Sequence, residues 1–203
     1  MFSIRVSEAI LNHGKRQVEL HDFGKRFTAN GTKEQQMTGI IGETQMDELF
    51  RLPWVDGANG FDGGLDIPFA KLALNVKTMG RTVDRLMPNY ACNFCELQLY
   101  FKVDGYIFCS FNKLTYNLTV CGWCTKPELV ERSIVRKPDE IVSRGSKNDT
   151  FKVASTLREI QIQHLRDVFS IEDLKNQLTT YSDLLNGECV ETENFDNSVW
   201  YKA

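Results

Sequence analysis

Long hydrophobic runs are absent from this sequence. None of its 203 residues lies in a stretch of about 18 consecutive apolar residues, the length that a membrane-spanning helix needs. Residues 1–6 (MFSIRV) also lack the apolar core and the small-residue cleavage site of a signal peptide. No internal repeat or low-complexity tract is visible. We therefore expect a cytoplasmic protein with no membrane partner.

A strong positive charge is also missing. The chain has 24 Lys and Arg against 27 Asp and Glu, so its net charge is −3, with a pI near 5.7. This balance excludes a histone-like binder. It does not exclude a nuclease, because such an enzyme needs only a local positive surface and must itself carry acidic metal ligands. The three histidines show no paired arrangement, and we expect His164 to be structural.

The hydrophobic pattern predicts an α/β fold with a central mixed β-sheet flanked by helices. Helices are expected from Thr38 to Pro53, from Thr125 onward and from Ser170 to about Leu178. Strands are expected at 65–69, 72–77, 97–103, 106–111, 116–121 and about 160–162. Asp104-Gly105 is a hairpin signal between two of these strands. The prediction is one domain over residues 1–185, with its core at about 38–180, and a polar tail at 186–203.

The first two strands hold the most informative pattern. Asp66 lies at the start of one strand, and the next alternates apolar residues with Ala73, Asn75 and Lys77, so Asn75 and Lys77 point to the same face. Hydrolysis of a phosphodiester needs a divalent cation that polarises the phosphoryl oxygen and lowers the pKa of a bound water. Mg²⁺ and Mn²⁺ prefer carboxylate oxygens. A lysine beside the cation can orient the attacking water.

The order of these residues resembles the PD-(D/E)xK nuclease superfamily, which is also called restriction-endonuclease-like. The matching residues are Gly42-Glu43 on the first helix, Asp66 in Leu-Asp-Ile, and the segment 75–78 (NVKT). Residues 120–129 (VCGWCTKPEL) resemble the strand-to-helix segment of small phage and prophage members. Residues 158–165 (REIQIQHL) are similar to their closing strand.

The resemblance implies a restriction-endonuclease-like core and a metal-dependent nuclease that hydrolyses DNA, as an endonuclease rather than an exonuclease. In that family the residues matching Asp66 and Asn75 hold Mg²⁺ or Mn²⁺, the one matching Lys77 is catalytic, and the one matching Glu43 supports the metal. Asn75 departs from the family, which has a carboxylate there. Asp62 in the preceding glycine loop is the candidate for the missing charge. The setting would be a host-cell cytoplasm if the chain is phage-encoded, with DNA as partner and a homodimer as one arrangement for cutting both strands.

Other interpretations of the same residues stay open. Asp66 alone could be an acid that caps backbone groups at a strand end. Lys77 alone could be a strand-edge lysine that discourages aggregation, and Glu43 a solvated helix acid. A catalytically inactive nuclease-fold protein that binds DNA, or a subunit of that kind, would carry the same pattern.

The cysteines allow a second alternative, a zinc-stabilised interaction module. Two Cys-x2-Cys pairs, 25 residues apart, have the spacing of a four-thiolate Zn²⁺ site: Cys92, Cys95, Cys121 and Cys124. Residues three apart on an extended strand face opposite sides, so chelation needs a turn or bulge at each pair. The alternative is four reduced strand cysteines. Cys109 and Cys189 follow no pattern.

Five basic residues follow the candidate site in sequence and could contact phosphate groups. They are Arg81, Arg85, Lys102, Lys113 and Lys126. For any one of them, a solvated surface position is the alternative.

Overall fold

The computed structural model describes residues 1–21, 31–59, 63–83, 85–144 and 149–187. Its four helices within those ranges are α1 (Glu8–Leu20), α2 (Lys33–Phe50), α3 (Lys126–Arg132) and α4 (Ile171–Asn186). The ten strands of the described ranges are β1 (Phe2–Arg5), β2 (Ile67–Phe69), β3 (Leu72–Arg81), β4 (Ala91–Cys95), β5 (Gly105–Asn112), β6 (Asn117–Thr125), β7 (Ile134–Arg136), β8 (Ile141–Arg144), β9 (Asp149–Lys152) and β10 (Leu157–Gln161). The predicted α/β class with a mixed central sheet and helices is confirmed.

The central sheet has the strand order β1-β6-β5-β3-β2. β3 and β5 run parallel from Leu74 to Arg81, and the other neighbours are antiparallel. β2 pairs with β3 only as far as Leu74. Beyond that residue, no described strand pairs with this edge of β3.

Helices α1, α2 and α4 cover one face of the central sheet, because one apolar cluster joins them to it. Its fully buried members include Ile10 of α1, Ile41 and Met46 of α2, Leu74 of β3 and Leu178 of α4. α2 approaches β3 very closely at Gly42, where an added Cβ would overlap the side chain of Thr78. Glycine is therefore required there to let the helix lie on the strand.

A second, three-stranded sheet covers the other face, in the order β4-β10-β7. A separate apolar cluster fills the space between the two sheets, with Phe94, Tyr106 and Phe108 buried in it. Leu129 of α3 joins the same cluster. β3 is therefore a buried strand between a helical layer and a β layer.

The predicted strand at 97–103 and the hairpin at Asp104-Gly105 are wrong. Residues Glu96–Tyr100 form a 3₁₀ helix. Asp104 is bound instead to β3, since its Oδ2 accepts from Ala73 N at 2.7 Å and its N donates to Ala73 O at 2.7 Å. Gly105 begins β5, where an added Cβ would lie 3.0 Å from Cys124 O. The glycine thus serves close strand packing and not a turn.

Several predicted element limits also move. α2 begins six residues earlier than predicted, with Thr32 in place of Thr38 as its N-cap, because Thr32 and Gln35 form a capping box there. The side chain of Thr38 bonds instead to Glu34 O inside the helix. α4 continues to Asn186 and is capped by Gly187 in a left-handed conformation. The rest of the predicted tail lies outside the described residues.

In the part of the chain that the structure describes, no helix combines the length and the apolar character needed to cross a membrane.

The contact between Gly42 and Thr78 gives a test of the fold. We expect Gly42→Ala to lower the free energy of unfolding by about 1–3 kcal/mol, because the added methyl group overpacks the helix–strand contact. Gly39 on the same helix is the control, since a Cβ there meets nothing within 4 Å. Gly39→Ala should raise stability by about 0.5–1 kcal/mol through helix propensity. Urea denaturation measures both, and equal stabilisation by the two variants would contradict the close contact.

Candidate active site

The β2–β3 hairpin places the first acidic residue of the site. Its turn residues Ala70 and Lys71 have φ of 48° and 64°, the pair of positive values that a two-residue type I′ turn needs. The resulting register pairs Ile67 with Leu74, so the preceding residue, Asp66, lies beside Asn75. The predicted hairpin and its turn are confirmed.

Asp66 lies along the open edge of β3. Its Oδ2 accepts a hydrogen bond from Val76 N at 2.6 Å, and its own N donates to Leu74 O at 3.0 Å. The carboxylate therefore replaces a strand neighbour at this position, as the strand-end interpretation expects. A carboxylate has about four acceptor sites, so a bond of this kind to the backbone is compatible with a role as cation ligand.

Asn75 is almost fully buried, with 2% of its surface exposed. Its Nδ2 donates to Gly64 O at 2.6 Å, while its Oδ1 has no hydrogen-bond partner among the described residues. Its neighbour in the parallel ladder, Tyr106, likewise has a buried hydroxyl without a partner in those residues. A buried amide oxygen without a donor is a natural ligand for a cation.

Lys77 points to the same face of β3 as Asn75, as predicted. It is half-buried, and its Nζ lies 6.0 Å from the ring centroid of Phe94 in the second sheet. Leu74 and Val76, which alternate with these two residues, belong to the opposite apolar cluster. The alternation therefore sorts the polar pair to one side of the strand.

Helix α2 runs antiparallel to β3 on the helical side of the sheet. Thr38 lies against Gly80 and Gly42 against Thr78, so one helical turn matches two strand residues. On this match the half-buried Glu43 lies at the level of Lys77 and Thr78. The next turn along lies at the level of Asn75.

Asp47 occupies that next turn, and sequence reasoning missed it. It is 3% exposed, and its Oδ2 accepts from Val55 N at 3.0 Å. Burial raises its pKa to about 7, against the effect of the Val55 bond, and the charge of Asp66 raises it further. The two carboxylates are thus close enough to repel each other. The sequence does carry a signal for it, because Asp47 follows the candidate Glu43 by four residues and so lies on the same face of the helix.

The donor set fits an oxygen-seeking cation with few protein ligands. Mg²⁺ is usually held by one or two carboxylates and keeps several waters. Asp66, the unsatisfied Asn75 oxygen and the acids of α2 supply such donors. Within the described ranges, no three His, Cys, Asp or Glu residues form a group that could hold a metal, so a site made by acids alone is not preformed there. The predicted ligand Asp62 lies outside the described residues.

The four cysteines of the predicted zinc site do not form one metal-binding group. Cys92 and Cys121 are neighbours, and the hydrogen bond between their thiols lowers the pKa of Cys92. Cys124 is fully buried, while Cys95 lies on the other side of β4 from Cys92. All four are described, and they form no group of three metal-binding residues. The strand pleat explains this, since residues three apart in β4 face opposite ways.

Three of the five candidate phosphate-binding residues bond to the protein itself. Arg81 donates to Ala91 O at 2.7 Å, Lys113 binds Glu34 at 2.6 Å and Lys126 donates to Phe101 O at 2.7 Å. The other two, Arg85 and Lys102, are exposed. These two are therefore the better placed for a ligand.

Residues 120–129, which contain Gly122-Trp123, have a clear role in the scaffold. Trp123 is fully buried, and its Nε1 donates to Gln177 of α4 at 2.9 Å. Arg166 stacks 4.8 Å from its ring centroid and is held by Glu128. Thr125 caps α3 with Glu128 in a capping box, so the predicted helix start is confirmed. The segment ties β6 to α3 and α4.

Comparison with known proteins gives no relative. No protein-family model, no curated protein and no solved structure matches this chain.

The raised pKa of Asp47 predicts how stability depends on pH in EDTA. Protonation of Asp47 favours the folded state. The stability that this proton binding adds is fully present below pH 3.8 and is lost as the pH rises through about 7. Asp47→Asn keeps an acceptor for Val55 N and removes the charge. We expect it to match wild type near pH 4 and to be more stable at pH 8, on the order of 2 kcal/mol.

Urea denaturation across this pH range measures the difference. The control is Glu48→Gln, which removes an exposed acid from the same helix and should follow wild type at every pH. An Asp47→Asn variant whose stability changes with pH as wild type does would contradict the burial argument.

Proposed function

We propose that this protein is a metal-dependent nuclease that hydrolyses DNA phosphodiester bonds, as an endonuclease of the PD-(D/E)xK type. One observation carries the proposal. Asp66 lies beside Asn75 at the open edge of β3, Lys77 points to the same face as Asn75, and Asp47 of α2 is close to Asp66. A carboxylate, a second oxygen donor and a lysine ammonium group therefore meet at one β-hairpin, an arrangement that suits metal-assisted phosphodiester hydrolysis.

The proposed ligands are Asp66 and the Oδ1 of Asn75, with Glu43 or Asp47 bonded to the water shell. Mg²⁺ or Mn²⁺ held there would supply polarisation of the phosphoryl oxygen and a water of lowered pKa. Asn75 adds no negative charge, so we expect weak affinity for the cation. Asp47 can offset this, because a cation nearby would favour its charged form.

Lys77 has the position of the catalytic lysine. Its ammonium group can hold the attacking water and offset charge that develops on the phosphate oxygens. Packing against Phe94 keeps its stem in place and limits its access to bulk water. Both effects favour a fixed geometry over a mobile surface lysine.

A DNA-binding protein of the same fold without cleavage is the second candidate. The observation in its favour is the state of Asn75, whose Nδ2 already bonds to Gly64 O where an active member of the family has a carboxylate. The restriction-endonuclease-like topology, the single domain over residues 1–185 and a homodimer belong to the proposal in either case.

The central test uses supercoiled plasmid with Mn²⁺ or Mg²⁺. We expect nicking by wild type and a loss of about 100-fold or more in Lys77→Ala and Asp66→Asn. In Asp66→Asn, the amide oxygen at position 66 can still accept from Val76 N, so the hairpin should keep its structure. Lys15→Ala removes an exposed lysine of α1 and is the control. A wild type that binds plasmid without nicking it would support the second candidate instead.

Asn75→Asp tests the metal site without an activity assay. The change replaces the donor to Gly64 O by a carboxylate oxygen, so that two acceptors face each other. In EDTA we therefore expect a Tm lower by about 5 °C. Added Mn²⁺ should raise the Tm of this variant more than that of wild type, because a cation separates the facing oxygens.

Asn176→Asp adds the same charge at an exposed position of α4 and serves as the control. Thermal unfolding with and without Mn²⁺ measures all three proteins. Equal Mn²⁺ shifts in wild type and Asn75→Asp would count against Asn75 as a ligand position.

A further inference from the structure

The 3₁₀ helix Glu96–Tyr100 presents exposed apolar side chains next to the candidate site. Leu97 is 49% exposed and Tyr100 is 84% exposed. Side chains three apart eclipse each other in a 3₁₀ helix, so these two form one continuous surface, named here the Leu97–Tyr100 ledge. Their neighbours Gln98 and Leu99 turn inward.

The ledge is anchored to the same residues that form the site. Phe101 packs against Gly64 so closely that a Cβ on Gly64 would overlap its ring. Gly64 O in turn accepts from Asn75. Consecutive Cα atoms are about 4 Å apart, so Tyr100 projects from a point directly beside this contact.

The backbone of the segment is held firmly, so the exposure of Tyr100 is not a sign of a loose loop. Phe101 N donates to Gln98 O at 3.1 Å, and Phe101 O accepts from Lys126 at 2.7 Å. Asp104 then fixes the end of the segment to β3 through Ala73. A fixed backbone lowers the entropic cost of ordering the exposed ring against a ligand.

Among the charged side chains of residues 96–104, the one that is exposed is positive. Glu96 is paired with Arg158 through a bidentate contact, so its charge is neutralised within the protein. Lys102 is exposed two residues after Tyr100 and can contact a phosphate. An aromatic ring with a lysine beside it is the combination that binds unpaired bases and their backbone.

We infer that Tyr100, supported by Leu97, is a stacking platform for an unpaired base, and that the site prefers DNA that contains unpaired bases, such as a single strand. This inference rests on the proposed function, because it takes DNA as the ligand of the site. A base inside an intact duplex is stacked on both sides and gives the ring no free face. Binding through the ledge therefore favours single strands over blunt duplexes.

The test is fluorescence anisotropy of a labelled single-stranded oligonucleotide and of a blunt duplex of the same sequence, with Ca²⁺ as the cation. We expect wild type to bind the single strand more tightly. Tyr100→Ala should weaken that binding about tenfold, the effect of losing one stacked base, with little change for the duplex. Tyr100→Phe keeps the ring and should bind like wild type.

Phe169→Ala is the matched control, because Phe169 is 74% exposed and lies before α4 on the helical side of the sheet. It should leave binding unchanged. Quenching of 2-aminopurine in the single strand reports stacking directly, and Tyr100→Ala should abolish the quenching.

Two results would overturn the inference alone. One is wild-type affinity for the single strand in Tyr100→Ala, and the other is an equal loss on single strand and duplex. A wild type that binds neither DNA would overturn the proposed function together with the inference. Loss of plasmid nicking in Lys77→Ala, with Tyr100-dependent binding retained, would support both.

Discussion

The unequal lengths of β2 and β3 create the open edge on which the candidate site depends. β2 covers β3 only between Leu72 and Leu74, so the backbone of Val76 needs another partner. The side chain of Asp66 fills that role. Because an unpaired backbone group in a buried strand costs about 1–3 kcal/mol, the need for a partner holds a carboxylate beside Asn75 and Lys77 even before any cation is considered.

Several buried polar groups lie near this part of β3. Asp47 is buried with a raised pKa, and Asn75 and Tyr106 each have a buried oxygen without a partner among the described residues. Folded proteins rarely leave such groups unsatisfied, and where they do the region is often functional. The helical layer and the second sheet shield this edge from both sides, which strengthens any electrostatic interaction within it.

Local sequence patterns predicted the parts of the site that depend on interactions between residues close together in sequence. The turn at Ala70 and Lys71, the alternation that sorts Asn75 and Lys77 to one face, and the cap at Thr125 all follow from backbone preferences within a few residues. The failures came where distant contacts prevailed. Residues 97–103 have β-forming side chains, yet Asp104 is drawn to Ala73 of β3 and the chain before it turns into a 3₁₀ helix.

The sequence by itself determined the α/β class, the β2–β3 hairpin and the candidate residues Asp66, Asn75 and Lys77. Only the tertiary structure decided which distant groups meet them. It brought Asp47 close to Asp66 and placed Phe101, which follows the 3₁₀ helix, against Gly64, while the four cysteines form no common metal-binding group. The physical reason is the sequence separation of the interacting residues, because periodicity and turn chemistry act only over a few residues. The position of a helix on a strand depends on close packing between residues such as Gly42 and Thr78, which lie far apart in sequence.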